Sequence, residues 1–341
     1  MTTILDIAKL ASVSKSTVSR VINGQSGVSK KSRDKVMAVI EETNFLPNKA
    51  ARTLKSSESN SILILFHRPS KVTIKNPFYL EIVSEISILF ENAGYDIILQ
   101  TYKESQEEIE ATKSKIANQF VKGIVILSSP MDETFLSEID KLSIPTVVIG
   151  KISEEYDNIY SIDTDNYKDS YNLVQLLIDN GHEDIICIHP PTDVHVSMDR
   201  LDGFIQCMKD NNLPVTPDQI IETGYTIDQT LQKIDWLFKC KKKMTAVFAT
   251  DVIRTLCVYK KANQYGYRIP DDLSIICFSS DTYSPFFFPE PSGIEIPVSL
   301  LASHASKQLL HLIHHETDVL KTTIVETNIN LTTSLKKNRE N

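Results

Sequence analysis

The chain has 341 residues, 41% of them hydrophobic and 23% charged, a composition of globular type that is too long for one ordinary core. No apolar run approaches the roughly 20 residues of a membrane span, and the amino terminus lacks a basic-then-apolar export pattern, so a cytoplasmic protein is expected. The net charge of −8 is unevenly divided: residues 1–57 carry ten Lys and Arg against four acids, or +6, which leaves −14 for the remainder and suggests a small basic head for phosphate contact on an acidic body.

Thr3 stands three residues before Asp6, the spacing of a capping box, which predicts a helix from Ile4 with Ile4, Ile7 and Leu10 on one face. Ser14 caps a second helix in the same way, apolar at Val18, Val21 and Ile22 and polar at Lys15, Ser16, Thr17, Ser19 and Arg20. Two such helices across a tight turn make a helix-turn-helix whose polar second helix suits a DNA major groove, although the same pattern also serves an ordinary bundle. Ser29 predicts the cap of a third helix running to Phe45, with Val36, Met37 and Ile40 closing a three-helix core. Leu46 to Leu54 is a short helix-compatible segment opened by Pro47. Ser56 to Ser61 is serine-rich and aperiodic, and reads as a linker.

Beyond the linker, apolar runs of strand length alternate with helical patterns. SILILF, YDIILQ, GIVIL and TVVIG are separated by helices expected over 78–92, 106–121 and 133–142. A strand near 159–162 begins a second series, with DIICIH, QIIETG, TAVFAT and LSIICF separated by helices over 167–180, 200–211, 227–239 and 252–265. This alternation implies parallel sheets covered on both faces, and the number of units is too large for one sheet, so two doubly wound α/β lobes are expected. Ligands of such sheets bind beyond the carboxyl ends of the strands, which with two facing lobes means a cleft.

The run VSKSTVSRVIN, the VSKKSRDKV that opens the third helix and LPNKAARTLK resemble the LacI/GalR family of bacterial transcriptional repressors, and the likeness extends over the rest of the chain. It implies a DNA-binding head (1–45), a hinge helix and linker (46–60) and an effector-binding, dimerising body (61–341) similar to periplasmic sugar-binding proteins. The lobes implied are about 61–162 with 290–318, and 163–289 with 319–341. The expected partners are a double-stranded DNA operator, a sugar or sugar phosphate effector, and a second copy of the chain, as a dimer or tetramer, with no membrane. The C-terminal LTTSLKKNREN shows no leucine heptads of the kind that join dimers. Two other readings stay open: a global regulator of the same fold controlled by a protein partner, and a sugar-binding enzyme. No convergent acid, base or nucleophile supports the enzyme.

Residue by residue, the resemblance assigns Lys15, Ser16 and Arg20 to base contact, where arginine and lysine reach guanine O6 and N7. Thr3, Asn23, Ser29 and Arg33 are expected at phosphates, which position the head without reading sequence. Asn48, Ala51 and Leu54 are expected in the minor groove, with Leu54 as a wedge between base pairs. His67, Arg68, Ser128, Asp165, Arg200, Thr250 and Asp281 are expected at the effector, Arg200 as the arginine of the family's R-x-x-G-F element. The family's aromatic–acid pair after the last strand of this lobe is here Phe278-Ser279-Ser280-Asp281, a displaced carboxylate. That departure, with Arg68 and Arg200 as guanidinium forks, points toward a phosphorylated sugar. TDV before Arg200 and HR after the first strand are similar to the trehalose operon repressors. No cofactor or metal site is expected: the late His304, His311, His314 and His315 lack accompanying carboxylates. The five cysteines, without a CxxC pair, read as reduced filler. The aromatic stretch 285–291 is expected at the lobe crossover or a subunit interface.

Overall fold

The computed structural model describes residues 2–22, 25–43, 45, 60–66, 76–101, 105–118, 120–153, 155–239, 244–316 and 319–338. The chain divides between Ser59 and Asn60 into two compact units.

The first unit is three helices, α1 (Ile4–Leu10), α2 (Lys15–Ile22) and α3 (Lys30–Thr43). Thr3 and Asp6 form the reciprocal capping box, and Ser14 and Ser29 accept from the amides of Thr17 and Ser32. Ile7, Ala8, Ala11, Val18, Val21, Val36 and Phe45 are buried together. Leu10 is 62% exposed and Met37 45% exposed, against expectation. On α1 the buried face runs through Ile7, Ala8 and Ala11, one helical step aside from the expected stripe, and on α3 Val36 points inward so that Met37, about 100° further round, faces solvent.

The second unit holds two six-stranded sheets. In the first, β1 (Ser61–Phe66), β2 (Asp96–Gln100), β3 (Gly123–Leu127), β4 (Thr146–Ile149), β5 (Ile159–Asp163) and β11 (Thr322–Ile324) lie in the order β11-β5-β4-β3-β1-β2, all parallel. In the second, β6 (Ile185–His189), β7 (Ile220–Glu222), β8 (Ala246–Ala249), β9 (Ser274–Ser279), β10 (Ser292–Glu295) and β12 (Ile329–Asn330) lie in the order β12-β10-β9-β8-β6-β7, with only β12 antiparallel. Continuous Ile, Val and Leu runs suit strands buried on both faces. Helices α4 (Pro77–Asn92) and α11 (Val298–Ile313) cover one face of the first sheet, and α5 (Ser105–Ala117) and α6 (Thr134–Asp140) the other. Helices α7 (Asn166–Asp179) and α8 (His195–Asp210) cover one face of the second sheet, with α9 (Ile227–Lys239) and α10 (Val252–Tyr265) on the other.

The chain passes between lobes three times, at 163–166, 295–298 and 324–329. The segment 290–295 was expected in the first lobe, but β10 pairs with β9 in the second. The segment from 319 was expected in the second, but β11 pairs with β5 in the first. Both are short strands whose apolar content carries no mark of the sheet they will join; only ladder pairing decides it. Helix α8 also begins at His195, five residues before the expected start, because Val194 adopts an extended cap conformation there.

Gly293 shows how closely β9 and β10 approach: a Cβ built on it would lie 1.8 Å from the Cys277 carbonyl oxygen. Gly293→Ala is therefore expected to cost about 3 kcal/mol through overpacking and lost ladder geometry, measurable as a lower urea midpoint with an unchanged m-value.

Candidate functional site

In the head, Lys15, Ser16 and Arg20 are exposed on α2, opposite its buried Val18 and Val21. Ser16 shares a 2.7 Å hydroxyl contact with Ser14. Thr3 gives its hydroxyl to Asp6 at 2.7 Å, Ser29 meets Ser32 at 3.0 Å, and Arg33 donates to the Gln25 carbonyl at 3.1 Å. These last three therefore shape helix starts and the α2–α3 turn, with Thr3 and Ser29 still exposed. Asn23, Asn48, Ala51 and Leu54 lie outside the described residues, as do His67 and Arg68.

In the body, a cleft of about 130 Å³ lies between the lobes. In each sheet the strand order reverses beside the first strand, β1 with β2 and β3 on either side and β6 with β7 and β8, which is where such sheets bind ligands. The residues just past β3, β6 and β8, namely Ser128–Ser129, Pro190 and Thr250, accordingly line the cavity. Ser128 takes a left-handed φ of +79°, and the buried Oγ atoms of both serines have no hydrogen-bond partner among the described residues.

Arg200 is the centre of the cleft. It is 6% exposed, its Nε donates to Asn166 Oδ1 at 2.9 Å, its Nη1 to the Thr250 carbonyl at 2.6 Å, and its guanidinium lies 3.6 Å from the Phe278 ring centroid. Burial pulls its pKa down to about 10, still fully charged at neutral pH, with Asp251 and Asp163 opposing the shift. The R-x-x-G-F spacing has a packing reason: a Cβ on Gly203 would come within 2.4 Å of the Tyr167 carbonyl, so the glycine lets α8 lie tightly on α7, while Phe204 stacks on Phe248.

Of the expected effector residues, Ser128, Arg200 and Thr250 come together in the cleft. Asp165 and Asp281 do not. Asp165 is exposed and caps α7 by accepting from the Lys168 amide; its neighbours Asp163, Thr164 and Asn166 face the cavity instead. Asp281 is exposed within the turn closed by the Tyr283 amide on the Ser280 carbonyl, while Ser279 and Ser280 stand at the cavity wall. Three contributors were missed. Asn166 accepts from Arg200 and donates to Asp163 at 3.1 Å; Glu81 accepts from the Ser280 hydroxyl across the lobes at 3.0 Å; and Arg254 is buried, paired with Asp251 at 3.0 Å and bonded to Thr223 and the Gly224 carbonyl. Arg254 is four residues past Thr250, a spacing that places it on the first turn of α10, but a charged residue in a helix pattern reads as a solvated face.

Asp163, at the end of β5, is buried and its carboxyl is pushed up to about 7, chiefly by burial, while the Thr164 amide and Arg200 pull the other way. An acid with a raised folded pKa takes up a proton on folding, so its penalty is absent in acid and grows as pH rises from 3.8 to about 7. In urea melts, wild type minus Asp163→Asn is expected to lose stability across that window; a difference that stays flat contradicts the assignment.

Comparison with known proteins agrees with this architecture. Residues 3–48 match the family model for bacterial regulatory proteins of the lacI family, and residues 174–334 a periplasmic binding protein-like domain. The chain is 29% identical over 331 residues to the HTH-type transcriptional regulator MalR of Clostridium butyricum, covering 95% of this chain and 97% of that one. It is 30% identical over 317 residues to the HTH-type transcriptional repressor PurR of Vibrio parahaemolyticus, covering 92% of each. The lac repressor dimer bound to operator and an anti-inducer shares the fold, with a TM-score of 0.83 at 23% identity over 98% of each chain. A basic helix-turn-helix head on two parallel-sheet lobes, with full-length relatives that are regulators and not enzymes, is a DNA-binding transcriptional regulator: the chain belongs to the LacI family.

Proposed function

We propose that the protein is a dimeric repressor of carbohydrate-utilisation genes, cytoplasmic in location, whose grip on a near-palindromic operator is set by a sugar in the interlobe cleft. The carrying observation is Arg200, held at the cleft's centre by protein acceptors on two sides while retaining N–H groups for a ligand. Two serine hydroxyls without a partner among the described residues, a carboxylate at Glu81 and apolar walls from Phe78, Val194 and Leu301 suit a polyhydroxylated ring. A relative in fold, the regulator CelR, was solved as its cellobiose complex.

Between a free and a phosphorylated sugar, the cleft favours the free one. Among the described lining residues, the three carboxyl groups of Glu81, Asp163 and Asp251 stand against the two guanidinia of Arg200 and Arg254. A phosphate dianion needs a site with an excess of cations. Calorimetry of the intact chain against trehalose, sucrose and their 6-phosphates tests this: heat from an unphosphorylated disaccharide, abolished by Arg200→Met, is expected, and heat only from a 6-phosphate overturns the preference.

On the head, Lys15, Ser16 and Arg20 are assigned to base edges, Thr3, Asn23, Ser29 and Arg33 to phosphates, and Asn48, Ala51 and Leu54 to the minor groove. A bidentate base contact is worth about 1–3 kcal/mol, so Lys15→Ala is expected to weaken binding to DNA flanking the gene by roughly tenfold or more and to blur sequence preference. Equal weakening on unrelated DNA would reassign Lys15 to the backbone.

For the dimer, Phe286 and Phe288 are 83% and 96% exposed beside the buried Phe287, which packs on Tyr259. Leu80 and Ile88, two turns apart on α4, are exposed as well. Phe286→Ser with Phe288→Ser is expected to shift sedimentation toward monomer and to weaken operator binding without lowering the melting temperature.

A further inference from the structure

The two lobes are joined outside their crossovers by a set of contacts concentrated around the start of α8. Pro130 and Val194 form an antiparallel bridge, the Met131 amide donates to the Asp193 carbonyl at 3.0 Å, and the His195 amide to the Ser129 carbonyl at 3.1 Å. Side chains add a buried hydrogen bond and an ion pair. His195 Nε2 lies 3.0 Å from Glu133 Oε1 with both side chains buried, and Lys151 Nζ lies 3.0 Å from Asp199 Oδ1 with the lysine half exposed.

Their arrangement is crossed. The first lobe supplies an acceptor, Glu133, and a cation, Lys151; the second supplies their partners, the His195 ring and the Asp199 carboxylate, one turn apart on α8. Complementary polar groups alternating across an interface favour one register and penalise a slipped one. Glu133 stands at the N-cap position of α6 but makes no capping bond. Its carboxylate instead accepts from the Ser153 amide at 2.6 Å, the Tyr156 hydroxyl at 2.8 Å and His195. A cap was given up for a contact with the other lobe. The same α8 segment carries Val194, Ser197 and Arg200 into the cleft. The cavity of about 130 Å³ is thus walled on one side by the segment that makes these interlobe contacts, so its width follows their making and breaking.

We propose that the crossed pairs Glu133–His195 and Lys151–Asp199 form a latch that holds the lobes closed in the absence of effector, and that ligand entry requires its release. The latch depends on the two-lobe fold and not on which effector binds. It sets the starting population against which any effector works, since a ligand shifts an equilibrium only by its differential affinity for the two states.

Spin labels on exposed residues of each lobe, Glu91→Cys and Lys209→Cys, read the lobe separation by double electron–electron resonance in the full-length chain, with Cys240→Ser and excess unlabelled protein to dilute label pairs between subunits. No effector is added. Lys151→Glu and Asp199→Lys are each expected to raise the ratio of long to short distances by about fivefold, as for partly exposed pairs, and the double exchange to restore the wild-type distribution. His195→Leu, which removes the only partner that the other lobe supplies to the buried Glu133 carboxylate among the described residues, is expected to raise it by about fivefold or more, while His195→Gln, able to donate to Glu133, recovers part of the loss. Restoration by the double exchange separates a latch from simple destabilisation, and melting curves confirm folding. Single variants that fold and keep the wild-type distances overturn the proposal, as does a double exchange that stays open.

Discussion

The body is organised around one buried cation. Arg200 is withdrawn from water and kept charged by an amide oxygen, a strand-end carbonyl and an aromatic face, each from a different element: Asn166 on α7, Thr250 after β8 and Phe278 on β9. A lone buried charge is costly unless bonded on all sides, so these elements are committed to their present spacing as long as the guanidinium stays. Through Asn166 the commitment reaches Asp163 on the other lobe's sheet, and through the Asp163 carbonyl, which accepts from Val325, it reaches the third crossover. A ligand that rearranges hydrogen bonds at Arg200 therefore acts on the lobe junction by contact.

Much of this was legible in the sequence, and the pattern of what was not is physical. The head's caps announce themselves through local side-chain chemistry, because Thr3–Asp6, Ser14 and Ser29 act within three residues. The strands of the body were visible as unbroken apolar runs. β10 and β11 were not read as strands, since runs of four and three residues carry no clear apolar pattern and their sheet is decided by ladder partners elsewhere in the chain. In the cleft, Arg200 could be assigned by its R-x-x-G-F setting, whereas Asp165 and Asp281 were displaced by one turn residue each, a change that reverses which side chain faces the cavity. Asn166, Arg254 and Glu81 matter because of what tertiary packing puts beside them, and no spacing rule encodes that.

The charge division has a structural counterpart. The head carries exposed Lys15 and Arg20, while charged groups of the body near the cleft are paired with one another: Asp251 with Arg254 and Lys151 with Asp199.

The third crossover carries one more implication. Sheet one ends in β11 and sheet two in β12, and the first lobe's core also includes Leu301, Ala302, Ala305 and Leu309 of α11. Ser334 and Asn338 then bond back to Ile275 and Gly181. During synthesis on the ribosome, neither lobe can complete its layers until residues 298–338 have emerged, whereas the three-helix head closes from local pairings at once. A nascent chain therefore exposes two unfinished sheets together, and both become whole through one late stretch of polypeptide, so the body matures as a single unit even though it is built as two.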